Sequence, residues 1–222
     1  KSAGIEKANE VKKYFSMMPD GNSIKQEFTA LYEKVSNLGE MGKWLNDNLT
    51  MGSINVNVMT KVDKVNYFKG EQLDHTFNDA HAALRGYANS DLASSIVLSA
   101  GMNPRLYGYL EQFEDFFPDK NGYIKKKIIL KVSDYRSALI QGKFFAKKGL
   151  WVSEYRVESG LNCGGHAFAT EGNLLGPVLA EFRDKRQELI DSTFKILENT
   201  LTSKKKITPE ESLPIFITAQ GG

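Results

Sequence analysis

The sequence predicts an α/β protein built on a parallel β-sheet that is covered by helices. Strand-like and helix-like segments alternate over most of the 222 residues, which is the pattern of consecutive βα units. The strand-like segments are apolar at consecutive positions, as expected for strands buried on both faces. Either a (β/α) barrel or a doubly wound sheet satisfies this pattern. The loops at the carboxyl ends of the strands must distinguish the two.

The amino-terminal segment is predicted to be helical. Lys1–Met18 has apolar residues spaced for one helical face, and Pro19–Asn22 is a turn sequence. Ser23 is predicted to cap a second helix, with Gln26 at the capping-box position. The chain has the length of one medium-sized domain, so we expect residues 1–222 to form a single domain.

Five strands are expected from short runs that are rich in β-branched and other apolar residues. The polar stretch between the first strand and Asn78 is predicted to be a loop. The predicted strands are Ile54–Met59, Ser94–Ala100, Lys127–Val132, Trp151–Val157 and Leu213–Ala219.

Helices are expected between these strands, from apolar residues at helical spacing. Ser133 is predicted to cap the third of them and Gly149 to end it, and Pro177 suits the first turn of the last. The predicted helices are Asp79–Tyr87, Arg105–Phe116, Tyr135–Lys148, and Pro177 to about Leu201.

Composition excludes several classes of partner. A net charge of +2 argues against a polyanionic partner, so no nucleic acid is predicted, and Lys125–Lys127 and Lys204–Lys206 are interpreted as solvated charges. No apolar run is long enough to cross a bilayer, so no membrane partner is predicted. The single cysteine, Cys163, excludes an internal disulfide and fits a reducing compartment, which predicts a cytoplasmic location. A small-molecule substrate is expected, and a homo-oligomer stays open.

The stretch Val157–His166 is the most suggestive sequence for chemistry. Gly164 and Gly165 stand directly before His166. Glycines let a backbone approach a ligand closely, and their N–H groups can face an anion or a flat heterocycle. A histidine in a loop that follows a strand is a candidate acid/base.

Other distinctive residues also follow predicted strands. Asn57 lies in the first strand, Lys131 ends the third, and Gly221 and Gly222 follow the fifth. Because the carboxyl ends of parallel strands meet at one edge, these residues predict one wide ligand-binding floor. Asn55 faces the same side as Asn57, so the role predicted for Asn57 could fall to either residue.

Two further kinds of site are not predicted. The chain has no P-loop or Rossmann glycine fingerprint. His75 and His81 lie far in sequence from Cys163 and His166, so no metal-ligand spacing is recognised. His75 and His81 are expected to face solvent and are assigned no role.

The residues from Ile54 to Gly222 resemble the flavin barrel family that contains nitronate monooxygenases and FMN-dependent enoyl reductases. The acidic Val-Glu-Ser followed by Gly-Gly-His is similar to this family's strand-end histidine motif. Other stretches resemble the family's motifs in the same order. Ile54–Met59 is similar to its Gly-Val-Asn strand, Ser99–Pro104 to its Phe-Gly-x-Pro turn and Ile129–Ser133 to its Lys-Val-Ser strand. Leu175–Arg183 is similar to its Leu-Pro helix, and Ile215–Gly222 to its Ala-Gly-Gly phosphate loop.

This resemblance implies a (β/α)8 TIM barrel that binds FMN at the carboxyl-terminal mouth. Asn57 and Lys131 would bond the flavin ring, and His166 would be the catalytic acid/base. The resemblance also implies NAD(P)H as a reductant. It leaves the substrate open, together with the choice between monooxygenase and reductase chemistry. Backbone N–H groups for ring or phosphate would come from Gly164, Gly165, Gly221 and Gly222.

The sequence departs from the family at several points. Leu161–Cys163 lengthens the histidine loop, and the first two barrel strands and a Met-Gly-Thr-like phosphate segment are not found. About five strands cannot close an eight-stranded barrel. We therefore expect a partial barrel, an internal piece lacking amino-terminal and carboxyl-terminal strands. Two alternatives remain: a catalytically inactive barrel that binds a phosphorylated metabolite, and a non-flavin barrel lyase or isomerase.

Overall fold

A computed structural model describes residues 2–34, 38–49, 54–60, 62–158 and 175–220. The chain divides into two compact units, Lys1–Gly52 and Ser53–Gly222. None of the described helices is both long and apolar enough to span a membrane.

The first unit contains three helices, one more than the two that the sequence predicts: α1 (Ser2–Ser16), α2 (Ser23–Lys34) and α3 (Leu38–Asn48). Its core is small and aromatic. Phe15 and Phe28 are both buried, and their rings stack with centroids 3.9 Å apart. The cap of α2 differs from the prediction by one residue, because the side chain of Asn22 accepts a hydrogen bond from the Ile24 N–H.

The second unit contains a five-stranded parallel sheet, and all five predicted strands are present. The segment predicted to be a loop after the first strand also contains a hairpin. Lys69 and Gly70 turn this hairpin with φ angles of 50° and 85°, which is the signature of a type I′ turn. The strands are β1 (Asn55–Val58), β2 (Tyr67–Phe68), β3 (Glu71–Gln72), β4 (Ser95–Leu98), β5 (Lys127–Val132), β6 (Val152–Glu158) and β7 (Phe216–Gln220).

Four α-helices connect the strands of the parallel sheet. The second helix is shorter than predicted, since the chain leaves it at Tyr109 and continues as 3₁₀ turns at Leu110–Gln112 and Glu114–Phe116. The helices are α4 (Asp79–Ala88), α5 (Pro104–Tyr109), α6 (Tyr135–Ala146) and α7 (Leu175–Ser203).

Helix α6 is delimited by specific backbone chemistry. Its cap is Asp134 rather than the predicted Ser133, because the Asp134 carboxylate accepts the Ser137 N–H at 2.7 Å. Gly149 has a φ of 82°. The Gly149 and Leu150 N–H groups bond back to the last turn of the helix, as in a Schellman motif. The prediction that Gly149 terminates this segment is confirmed.

The strands of the parallel sheet follow chain order, β1-β4-β5-β6-β7, with every neighbouring pair parallel. A doubly wound sheet reverses its strand order at a switch point. The five described strands contain no such reversal, so this part of the chain winds in one direction only.

All four helices lie on one face of the sheet. Alternate strand residues and the inner faces of α4, α5, α6 and α7 share a single apolar cluster. The opposite face is mostly polar, so the expectation that the strands are apolar on both faces is wrong. The residues on the opposite face include Asn55, Asn57, Lys131, Glu154, Arg156, Glu158, Thr218 and Gln220.

One lysine interpreted as a solvated charge is buried. The Lys126 side chain is 0% exposed. Its ammonium group donates to the carbonyl oxygens of Ser90 and Leu92 at 2.7 and 2.8 Å. Burial lowers the pKa of Lys126, and the nearby Asp115 carboxylate opposes that shift. Lys126 therefore anchors the chain before β4 instead of facing water.

Tyr107 of α5 is expected to make the free energy of unfolding fall as the pH becomes alkaline. Its hydroxyl donates to the Ser99 carbonyl at 2.8 Å, and burial raises the pKa of Tyr107 to about 12 from 10.0. As the pH rises from 10 towards 12, the unfolded chain loses this proton first, so stability falls. Tyr107→Phe should reduce the steepness of that fall by about 1.4 kcal/mol per pH unit. Urea unfolding across this range measures the slope, and an unchanged slope would contradict the assignment.

Candidate functional site

Asn57 and Lys131 lie on the same face of the sheet, the face opposite the helices. Asn57 of β1 is level with Ile129 of β5 through Val97 of β4, and Lys131 is two residues further along β5. The two backbone positions are two strands apart, about 10 Å, and two residues apart along the strands, about 7 Å, so they are separated by about 12 Å. One ligand of heterocycle size can therefore reach both side chains.

Lys131 is paired with a buried carboxylate. Its ammonium group forms an ion pair with Glu158 at the end of β6, and the two side chains are 13% and 4% exposed. Charges this far from water are stable only when they are partnered. Lys131 is therefore not a simple strand-end charge in water.

A second polar network lies beside this pair. Arg156 is level with Lys131, and its Nε and Nη2 donate to Glu154 Oε1 at 3.0 and 2.8 Å. The Thr218 hydroxyl of β7 donates to the same oxygen at 2.6 Å. These bonds hold Arg156 against Glu154, so the polar face near the carboxyl ends of β5 and β6 carries two neighbouring ion pairs, Lys131–Glu158 and Arg156–Glu154, whose formal charges balance.

Two aliphatic side chains lie between these polar groups and are already covered. Val97 is 1% exposed and Ile129 is 3% exposed. A ligand on this face would therefore contact the polar side chains around them rather than the aliphatic surface.

Asn57 is accessible from solvent. Asn57 is exposed and Asn55 is only partly buried. Because both residues lie on the polar face, the alternation predicted for β1 is confirmed. The exposed amide of Asn57 is free of steric cover for a ligand arriving from that side.

The remaining predicted site residues lie outside the described part of the chain. These residues are Gly164, Gly165, His166, Gly221 and Gly222. The strands that lead to them are described, and Glu158 and Gln220 are register partners on β6 and β7. The histidine segment and the final glycines therefore leave the sheet from neighbouring positions at its carboxyl edge.

A cleft of about 270 Å³ opens at the other end of the polar face. Its lining includes Ser95, Lys127, Ile129, Glu154 and Phe216. These residues lie towards the amino ends of the strands. The cleft is therefore separate from the edge where the predicted site residues gather.

Sequence reasoning missed Glu154, Arg156 and Thr218 as members of this face. A signal was present, because Glu154, Arg156 and Glu158 recur at every second position of β6, which is the spacing of one face of a strand. The apolar residues between them, Tyr155 and Val157, concealed the alternation.

No protein-family model matches the chain, and comparisons with curated proteins and with solved structures find no match. Function is therefore inferred from the residues and geometry of the chain itself.

Proposed function

We propose that residues 53–222 form part of a (β/α)8 barrel that binds FMN at the carboxyl edge of its strands. The single observation that carries this proposal is the parallel sheet in chain order, with all four helices on one face and polar side chains on the other. Parallel strands in chain order with all their helices on one face are expected for a sector of a barrel wall. Further strands would satisfy the open edges at β1 and β7, since unpaired edges are a liability.

The activity we propose is that of an FMN-dependent oxidoreductase of the nitronate monooxygenase or enoyl reductase type, acting on a small molecule in the cytoplasm. The described residues fit a flavin in two respects. The amide of Asn57 is exposed, and the Lys131 ammonium is held in place by Glu158 on the same face. An amide and an ammonium on one face of the sheet suit the polar edges of a wide heterocycle.

The glycines would bind through their backbones. Gly164 and Gly165 directly precede His166, and Gly221 and Gly222 directly follow β7. N–H groups without a neighbouring Cβ can approach a ring or a phosphate closely. The two segments leave from neighbouring strands, so both can serve one ligand.

His166 is the residue we propose for proton transfer. An imidazole both accepts and donates a proton near neutral pH, which suits movement of a proton to or from a substrate atom. FMN would supply the redox chemistry when bound, with NAD(P)H as a candidate reductant. The chain itself would bind and orient the flavin and the substrate, and His166 would move the proton.

The test is the visible spectrum and turnover of the full-length protein and its His166→Ala variant. The protein should gain flavin absorbance when FMN is added, and His166→Ala should bind FMN equally well while its kcat falls by about 10²–10⁴-fold. A colourless protein that does not respond to FMN would contradict flavin binding. Unchanged turnover in the variant would remove His166 from the chemistry, and FMN binding without nitronate oxidation or enoyl reduction would favour an inactive binding protein.

A further inference from the structure

Three side chains with metal-binding atoms are spaced three residues apart at the start of α4. His75 lies in the 3₁₀ turn His75–Phe77, Asn78 is the N-cap of α4, and His81 lies in the first turn. The His75 and His81 rings are in contact, and Asn78 lies between them in the chain, in extended backbone at the junction of the 3₁₀ turn and α4.

Two of these side chains carry buried polar atoms without a partner. His81 is 1% exposed and Asn78 is 5% exposed. His81 Nε2 and Asn78 Oδ1 make no hydrogen bond among the described residues. Because buried polar atoms are normally satisfied, two such acceptors on one helical turn indicate a missing donor or cation.

Asp63 explains why both atoms are available. Its Oδ1 accepts the Ala80 N–H at 2.7 Å, which is the bond that an N-cap side chain normally accepts. The Asn78 amide makes no capping bond of its own. Oδ2 of Asp63 bonds His81 Nδ1. A proton on Nδ1 leaves the Nε2 lone pair free to bind a ligand.

His75 is arranged in the same way. Its Nδ1 is 3.3 Å from the carboxylate of Asp74, so each of the two imidazoles has a carboxylate beside Nδ1. A carboxylate beside the ring nitrogen that does not bind the metal is characteristic of metal-binding histidines, because it fixes the tautomer and orients the ring.

The separation of the two imidazoles matches a shared metal ion. Their ring centroids are 5.3 Å apart, with the rings nearly perpendicular at 86°. Two imidazoles on one tetrahedral zinc, with Zn–N bonds of about 2 Å, have centroids about 5 Å apart. The separation of the two rings is therefore the one that a shared ion requires.

We propose that His75 Nε2, Asn78 Oδ1 and His81 Nε2 bind a late first-row divalent metal ion such as Zn²⁺. Imidazole nitrogen suits Zn²⁺, Ni²⁺ and Cu²⁺, and three protein ligands leave a position for water. The described residues contain no group of three or more His, Cys, Asp or Glu side chains placed for a metal ion. The site therefore depends on the amide oxygen of Asn78 as its third ligand.

The test is calorimetric titration of the metal-stripped full-length protein with zinc chloride. We expect saturable binding of one ion per chain, with loss of saturation in His75→Ala and His81→Ala. Asp63→Asn should weaken binding by about 10–100-fold, because it removes the carboxylate charge that orients His81, while the amide oxygen can still accept the Ala80 N–H. His75 is the more informative position because its side chain is 42% exposed, so its replacement leaves the core intact.

The chain supplies a matched control, since it has three histidines and the third, His166, is not one of the proposed ligands. His166→Ala should bind zinc as the unmodified protein does. Absence of binding to the unmodified protein, or equal affinity in His75→Ala, would overturn the proposal and leave the two rings as an edge-to-face contact. Since FMN is not involved in this titration, its outcome is independent of the flavin proposal.

Discussion

Gly142→Ala is expected to lower the free energy of unfolding by about 3 kcal/mol, the upper part of the range for overpacked cores. A Cβ at Gly142 of α6 would lie 2.2 Å from the hydroxyl oxygen of Tyr155 and 3.2 Å from Thr193 Cγ2. Tyr155 is 1% exposed on the helix-covered face of β6, so it has no space into which to move. Helix α6 would have to shift away from the sheet.

The matched control is Gly86→Ala, in the interior of α4. A Cβ there meets nothing within 4 Å, so only the intrinsic preference of helices for alanine acts. That preference should stabilise the protein by up to about 1 kcal/mol. Urea unfolding of both variants measures the contrast. Equal effects would contradict the close packing of α6 against β6.

Lys131→Met is expected to destabilise the protein by about 3–5 kcal/mol, because it removes one partner of a buried ion pair. The Glu158 carboxylate is 4% exposed and would lose its ammonium partner. Adding Glu158→Gln to this variant removes the charge, and the double variant should regain at least half of the lost stability. The free energies of unfolding of the single and double variants measure this coupling.

Lys185→Met is the control for this pair. Lys185 and Glu181 also form an ion pair, at 2.8 Å, but on the surface of α7, with side chains 48% and 43% exposed. Surface pairs of this kind contribute little, so no measurable loss is expected. Equal sensitivity of Lys131 and Lys185, or no recovery in the double variant, would show that the Lys131 pair is solvated.

The five strands could be predicted because their residues are locally characteristic, as in the β-branched run around Ile128 and Ile129. The β2–β3 hairpin was missed because its strands have two residues each and its Lys-Gly turn is weaker than an Asn-Gly signal. The burial of Lys126 was missed for a different reason. Its carbonyl partners lie more than thirty residues away along the chain, which no local pattern reveals.

The candidate site could be predicted only as a set of residues on one face. The alternation of side chains along β1 correctly predicts that Asn57 lies on the same face of the sheet as Asn55. The pairing of Lys131 with Glu158 depends on the register between β5 and β6, and that register shifts at Ser153, where Ile128 pairs with Val152 but Ile129 pairs with Glu154. A shift of one residue changes which side chains share a face. Sequence periodicity alone therefore could not identify the partner of Lys131.

Amide hydrogen exchange of the full-length protein with and without FMN tests whether a flavin binds at the carboxyl edge of the sheet. We expect FMN to slow exchange in peptides that contain the carboxyl ends of β1, β5 and β6, the segment with His166, and Gly221 with Gly222. Peptides from helices α1 to α3 should exchange at the same rate in both samples. Unchanged exchange at the strand ends, or protection confined to the amino-terminal helices, would contradict a flavin site at this edge of the sheet.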